Sequence, residues 1–150
     1  MNKVTVVGAG LAGCEAAWHL AEQGFQVTLC DIKPKSFTPA HSNPDFAELV
    51  CSNSLKSNDV FGNACGLLKQ EMRVLGSLTM AAAEQSAVPA GGALAVDRER
   101  FAHIITQKIK QHKNIEIVCK EVGSVPAAPA IVATGPLTAC LLYTSPSPRD

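Results

Sequence analysis

No apolar run in this 150-residue chain reaches the roughly 20 residues that a membrane-crossing helix needs, because Gly, Pro or a charge breaks each one sooner. A helical span is thereby excluded. Net charge is absent as well: 13 Lys and Arg offset 13 Asp and Glu. No global field draws the chain to nucleic acid, although a local basic patch stays open. There is also no CxxC pair. The cysteines Cys14, Cys30, Cys51, Cys65, Cys119 and Cys140 are scattered, which gives no support to a zinc knuckle or thioredoxin-type site and predicts no metal centre. Cys14, Cys30 and Cys119 lie among apolar neighbours, where a thiol behaves as a small hydrophobe. Reduced thiols fit a cytoplasmic protein. What is present is enough apolar material to fold: at 47% hydrophobic, the chain is too apolar and too charge-balanced for disorder. Its length suits one domain.

Residues 3–7 are β-branched and apolar and stop at Gly8, which predicts a buried strand. A helix follows over 14–23, with Gly24 placed as its left-handed terminator. A second strand covers 26–30 and ends at Asp31. This strand, helix, strand unit has the length that a parallel sheet requires. Residues 33–63 read as a long loop, which in a compact domain is usually functional. A helix is predicted over 66–84, stacking Leu68, Met72, Leu75, Thr79 and Ala82 on one face. An extended stretch over 88–96 is broken at Gly91-Gly92. Asp97 caps a helix carrying Phe101, Ile104, Ile105 and Ile109. Residues 115–119 and 130–133 are further strand candidates.

The most specific local signal is Gly8-Ala9-Gly10-Leu11-Ala12-Gly13, a GxGxxG between strand and helix. Gly8 permits the turn, Gly10 lets a diphosphate approach the backbone, and Gly13 lets helix and strand pack closely. The helix aims free N–H groups at the anion. Asp31, 18 residues beyond Gly13, is placed to accept hydrogen bonds from an adenosine ribose and to repel a 2′-phosphate, favouring FAD or NAD over NADP. Lys33 and Lys35 beside it read as a solvated basic turn. Leu11-Ala12-Gly13-Cys14 also resembles a lipoprotein cleavage box. Its preceding apolar run is short and holds two glycines, however, and helical patterning continues through Cys14.

Ala133-Thr134-Gly135 reads either as an ordinary strand-ending turn or as the turn where a late strand passes a flavin. Cys51-Ser52-Asn53-Ser54 lies next to Lys56. That setting is open to two readings, a nucleophilic thiolate stabilised by its neighbours or a buried thiol in a capping turn.

These segments, taken with Thr38-Pro39-Ala40-His41, residues 68–73, the run Val88-Pro89-Ala90-Gly91-Gly92-Ala93-Leu94-Ala95-Val96-Asp97-Arg98 and the extension Pro136-Leu137-Thr138, resemble the folate- and FAD-dependent tRNA uracil-5-methyltransferases. The likeness covers about residues 1 to 140. It implies a Rossmann-like FAD-binding domain, a doubly wound α/β sheet, present here only in its N-terminal part. It implies methylation of uridine 54 in the tRNA T loop, with methylenetetrahydrofolate as carbon donor, NADH or NADPH as reductant and tRNA as partner. On this resemblance Gly8 to Gly13, Asp31, Ser52, Asn53, Ser54, Thr134 and Gly135 contact the flavin cofactor. Cys51 matches a cysteine near the flavin that assists catalysis or protects the reactive cofactor. The family's other cysteine, which lies further along, has no counterpart here. Asp31 stands where the family commonly has Glu.

Family members are much longer, so the chain is expected to be an N-terminal fragment, unstable and inactive alone. Residues 141–150, a Ser/Pro tail without periodicity, read as vector or adapter translation. Rival readings keep the flavin but change the chemistry, to another NAD(P)H oxidoreductase or the related wobble-uridine flavoprotein, or give up catalysis for nucleotide sensing.

Overall fold

The computed structural model describes residues 2–138 and Leu142. Cys140 lies outside the described residues, as does the predicted tail over 141–150 apart from Leu142. Strand β1 (Lys3–Val7) runs into helix α1 (Leu11–Glu22) through the glycine turn. The buried face of α1 is Gly13, Cys14, Ala17 and Ala21. Side chains this small let the helix lie close on the sheet. The helix closes as the sequence predicts, at Gly24 with φ +86°. Strand β2 (Gln26–Asp31) follows.

Between β2 and the next strand of the main sheet lies a long excursion. It holds β3 (Ser54–Ser57), α2 (Ala64–Val74), α3 (Leu78–Gln85), β4 (Ala87–Val88) and β5 (Ala93–Val96). Strand β3 falls inside the predicted loop, where four polar-patterned residues gave no periodic signal and the pairing partner, β5, is far along the chain. The helix predicted over 66–84 is two helices. Gly76 takes φ +73°, and the Ser77 hydroxyl then accepts from the Met80 N–H at 3.1 Å, starting α3 afresh. The predicted apolar face also fails, because Leu68 and Leu75 point to solvent. Gly91 and Gly92 form the turn of the β4–β5 hairpin, with Gly91 at φ +60°.

Helix α4 (Arg98–Gln111) is capped by Asp97, which accepts from the Arg100 N–H at 3.0 Å. Strands β6 (Ile115–Cys119) and β7 (Ala130–Val132) complete the main sheet, and a single 3-10 turn spans Gly135–Leu137. The main sheet is wholly parallel in the order β6-β2-β1-β7, and β3-β5-β4 form a small antiparallel sheet. Val6, Val27 and Leu29 join Ala17, Ala21, Phe101, Ile105 and Ile109 in one core. The order reverses between β1 and β7, which marks the switch point where doubly wound sheets open a ligand crevice.

Candidate cofactor-binding cleft

A cleft of about 470 Å³ opens at that switch point. Gly8 to Ala12 form its floor, Asp31 and Lys33 one side, and Thr134 and Gly135 the other. The sequence-predicted residues of the glycine turn, β2 and β7 are thus brought together. Gly8 and Gly13 are glycine for packing reasons: a Cβ would lie 2.5 Å from the Ala133 carbonyl oxygen at Gly8 and 1.7 Å from the Gly8 carbonyl oxygen at Gly13. Gly10 is different. A Cβ there meets nothing within 4 Å, so it would project into open space above the start of α1.

That helix start is also chemically distinct. Helices α2, α3 and α4 are capped by the side chains of Asn63, Ser77 and Asp97, whereas α1 begins at Gly10 with no side-chain cap and no acid in its first turn. Its leading amides and the positive end of its dipole face the cleft with no capping side chain of the helix's own. An external diphosphate fits this donor set. Asp31 is fixed beside it, with Oδ2 accepting from the Ala9 N–H at 2.6 Å and Oδ1 from the Lys33 N–H at 2.8 Å. A carboxylate has about four acceptor positions, so two remain for ribose hydroxyls.

The wall opposite β7 is a strap. The Phe46 N–H donates to Thr106 Oγ1 on α4, and the Ala47 N–H donates to the Ala9 carbonyl, each at 2.8–2.9 Å. Lys33 corrects the expectation of a solvated turn. It is 7% exposed, and its Nζ donates to Glu48 Oε2 at 2.7 Å and to the Asp45 carbonyl at 2.9 Å. The other Glu48 oxygen accepts from the Ser42 and Asn43 amides. Burial alone would raise the Glu48 proton affinity, but the Lys33 contact and these two amides outweigh it and hold the carboxyl below its usual range. Thr38 and His41 are hydrogen-bonded to each other on the same wall. No local pattern revealed the Lys33–Glu48 pair, since its members stand 15 residues apart across an irregular segment.

The structure does not bring the Cys51 segment into this cleft. Cys51, Ser52 and Asn53 line a separate shallow depression with Val88, Val96, Asp97 and Arg98. Glu48, three residues earlier, lines the cleft, so the two sites adjoin along the chain. Cys51 is exposed. Its polar neighbours serve the backbone: Ser52 Oγ accepts from the Ser54 N–H, Ser54 Oγ from the Lys56 N–H, and Asn53 Nδ2 donates to the Val96 carbonyl. Cys14 is a core thiol in the first turn of α1, donating to the Ala9 carbonyl at 3.3 Å. Burial, reinforced by the Asp31 and Glu15 charges, pushes its proton affinity far up.

The sequence model for the family described as glucose inhibited division protein A matches residues 3–147. The chain belongs to this family. Proteins named methylenetetrahydrofolate–tRNA-(uracil-5-)-methyltransferase are 55% identical in Exiguobacterium sibiricum, over 97% of the chain and 33% of that protein, and 56% identical in Bacillus subtilis, over 90% and 31%. The chain therefore spans about a third of the length of the curated relatives it matches. A solved structure of Aquifex aeolicus GidA superposes with a TM-score of 0.65 at 19% identity, covering 85% of this chain and 21% of that one. That likeness establishes a shared fold for this member of the glucose inhibited division protein A family. Among the described residues no helix is long and apolar enough to cross a membrane, and no cluster of His, Cys, Asp and Glu is arranged to hold a metal ion.

Proposed function

We propose that this chain is the FAD-holding N-terminal part of a folate-dependent tRNA uracil-C5 methyltransferase acting on uridine 54 in the cytoplasm. Identity of 55–57% to proteins of that name, over 92–97% of the chain, carries the reading. The relatives' names favour it over a small-molecule oxidoreductase. The cleft supplies the physical support. The amides of Leu11, Ala12 and Gly13, open above Gly10, would hold the diphosphate, Asp31 the ribose, and Thr134 and Gly135 the far wall. Bound flavin would supply the redox and one-carbon chemistry, with methylenetetrahydrofolate as donor and NADH or NADPH as reductant.

In this reading Cys51, with Ser52, Asn53 and Ser54, works beside the flavin once the remaining two thirds of the protein has assembled around the depression. A thiolate adding to C6 of the uracil makes C5 nucleophilic. Cys51 either serves in that chemistry or shields the reactive centre. The test is to purify the full-length gene product, record its flavin absorption, and follow labelled methylene carbon from the folate into tRNA lacking the modification, with nuclease mapping of the position. Flavin content and label at uridine 54 are expected, along with a loss of label in Cys51→Ala. A protein without flavin, or flavin without label transfer, overturns the reading.

A further inference from the structure

Helix α2 is amphipathic in the inverted sense. Ala64, Leu67, Leu68, Glu71, Val74 and Leu75 recur at the three- and four-residue spacings of one helical stripe, and all are exposed, Val74 at 77% and Leu75 at 71%. Phe61, in the loop leading into the helix, is fully exposed. Both cations of the helix are turned inward, beside Met72, which packs against the core. Lys69 is 6% exposed, its Nζ donating to the Ser57 and Cys65 carbonyls at 2.8 and 2.9 Å. Arg73 reaches Glu84 and Asn58.

Gly66 locks this orientation, since a Cβ there would lie 1.9 Å from the Asp59 carbonyl oxygen. The Asp59 carboxylate in turn accepts from the Phe61 and Gly62 amides. The outward leucines are therefore fixed by contacts on the opposite side of the helix.

We propose that this face of α2, with Phe61 at its edge, is the seat of a polypeptide segment from the two thirds of the whole protein that has no counterpart in this chain. Three observations choose that occupant. The chain matches only 31–33% of its relatives' length while the matched part covers up to 97% of the chain, so α2 lies within the shared region and most of each relative lies outside it. The stripe carries Glu71 and no cation, which fits protein and opposes a phosphate backbone or an anionic lipid surface. An 11-residue helix face is about 16 Å long. With a width of about 10 Å its area is on the order of 160 Å², far below the roughly 800 Å² per partner of a stable dimer between free molecules, whereas a tethered segment needs less because its effective concentration is high. The inference does not depend on which reaction the whole protein performs.

The full-length gene product tests it. Leu67→Cys and Leu75→Cys variants, treated with a maleimide and read peptide by peptide by mass spectrometry, should label at least about tenfold more slowly than in the urea-unfolded chain, at every protein concentration and without tRNA. Hydroxyl-radical footprinting of the unaltered protein at Phe61, Leu67 and Leu68 should show the same protection, so a folding defect in a variant leaves the test intact. Full-speed labelling overturns the proposal. Protection that appears only as molecules associate, or only when tRNA is added, overturns it too, in favour of a second copy or of nucleic acid.

Discussion

Gly10 and Gly13 stand three residues apart in one turn and answer to different constraints. The space missing at Gly13 belongs to the protein, as backbone 1.7 Å away, so Gly13→Ala should destabilise the folded protein by about 3 kcal/mol. The space at Gly10 belongs to a ligand. Its φ of −73° suits any residue, so Gly10→Ala should change folding by under about 1 kcal/mol yet weaken flavin binding about tenfold or more. Urea unfolding and flavin titration of the full-length apoprotein separate the two. A Gly10→Ala protein that binds flavin normally would remove the diphosphate from this turn.

Glu48 shows a different residue-scale effect, one that pH exposes. Its carboxyl is held below the ordinary 4.5, so its contribution is complete above that value and drains away as pH falls through the lower folded-state value. Glu48→Gln, which leaves Lys33 without its counter-charge, should lose about 2 kcal/mol at neutral pH. The gap to the parent should then narrow in acid. Unfolding midpoints measured from pH 7 down to the acid limit check this, and a gap independent of pH would mean the lysine contact contributes nothing through charge.

At the scale of elements, what the sequence reveals depends on where each signal is written. Strand β1, the glycine turn, α1, Gly24 and β2 are legible because each is specified by residues within a few positions of one another. The α2–α3 break was written just as locally, in Gly76 and Ser77, but a continuous apolar period drawn through both helices hid it. The outward face of α2 was not legible at all, since burial depends on what a helix packs against and periodicity records only that one face is apolar.

Glu15 belongs with these hidden features. From α1 it reaches the start of α3 and accepts from the Leu78 and Thr79 amides and from the Thr79 hydroxyl, while pairing with His19 at 3.1 Å. Burial opposes ionisation there, but the Thr79 and Ser77 hydrogen bonds and the His19 charge prevail and lower its proton affinity. Helix α3 thus carries two caps, one local and one from another helix. Glu15→Gln, which loses the charge at two amides, should cost about 2 kcal/mol, against about 1 kcal/mol for Ser77→Ala. Equal losses in denaturant unfolding would mean the cross-helix cap carries no charge-assisted strength.

For the whole molecule the deciding feature is the sheet's second face. Parallel sheets occur almost only with both faces covered. In β1, β2 and β6 the residues that join the helical core alternate with Thr5, Thr28 and Val118, which are only half-buried, and Val132 on β7 is 45% exposed. At the ends of those strands Val7 and Cys30 are buried, so the cleft end is closed while the middle is open. The outward leucines of α2 add a second uncovered apolar area. A polypeptide of these 150 residues is therefore expected to keep its local elements but to lack the burial that makes unfolding cooperative. Expressed alone, it should retain helical far-ultraviolet circular dichroism, melt over a broad range, bind a hydrophobic dye and take up no flavin, whereas the full-length product should melt sharply and be yellow. A sharp melt and bound flavin in the short polypeptide would show that the cleft and its core stand without the rest of the protein, and that the second face needs no cover.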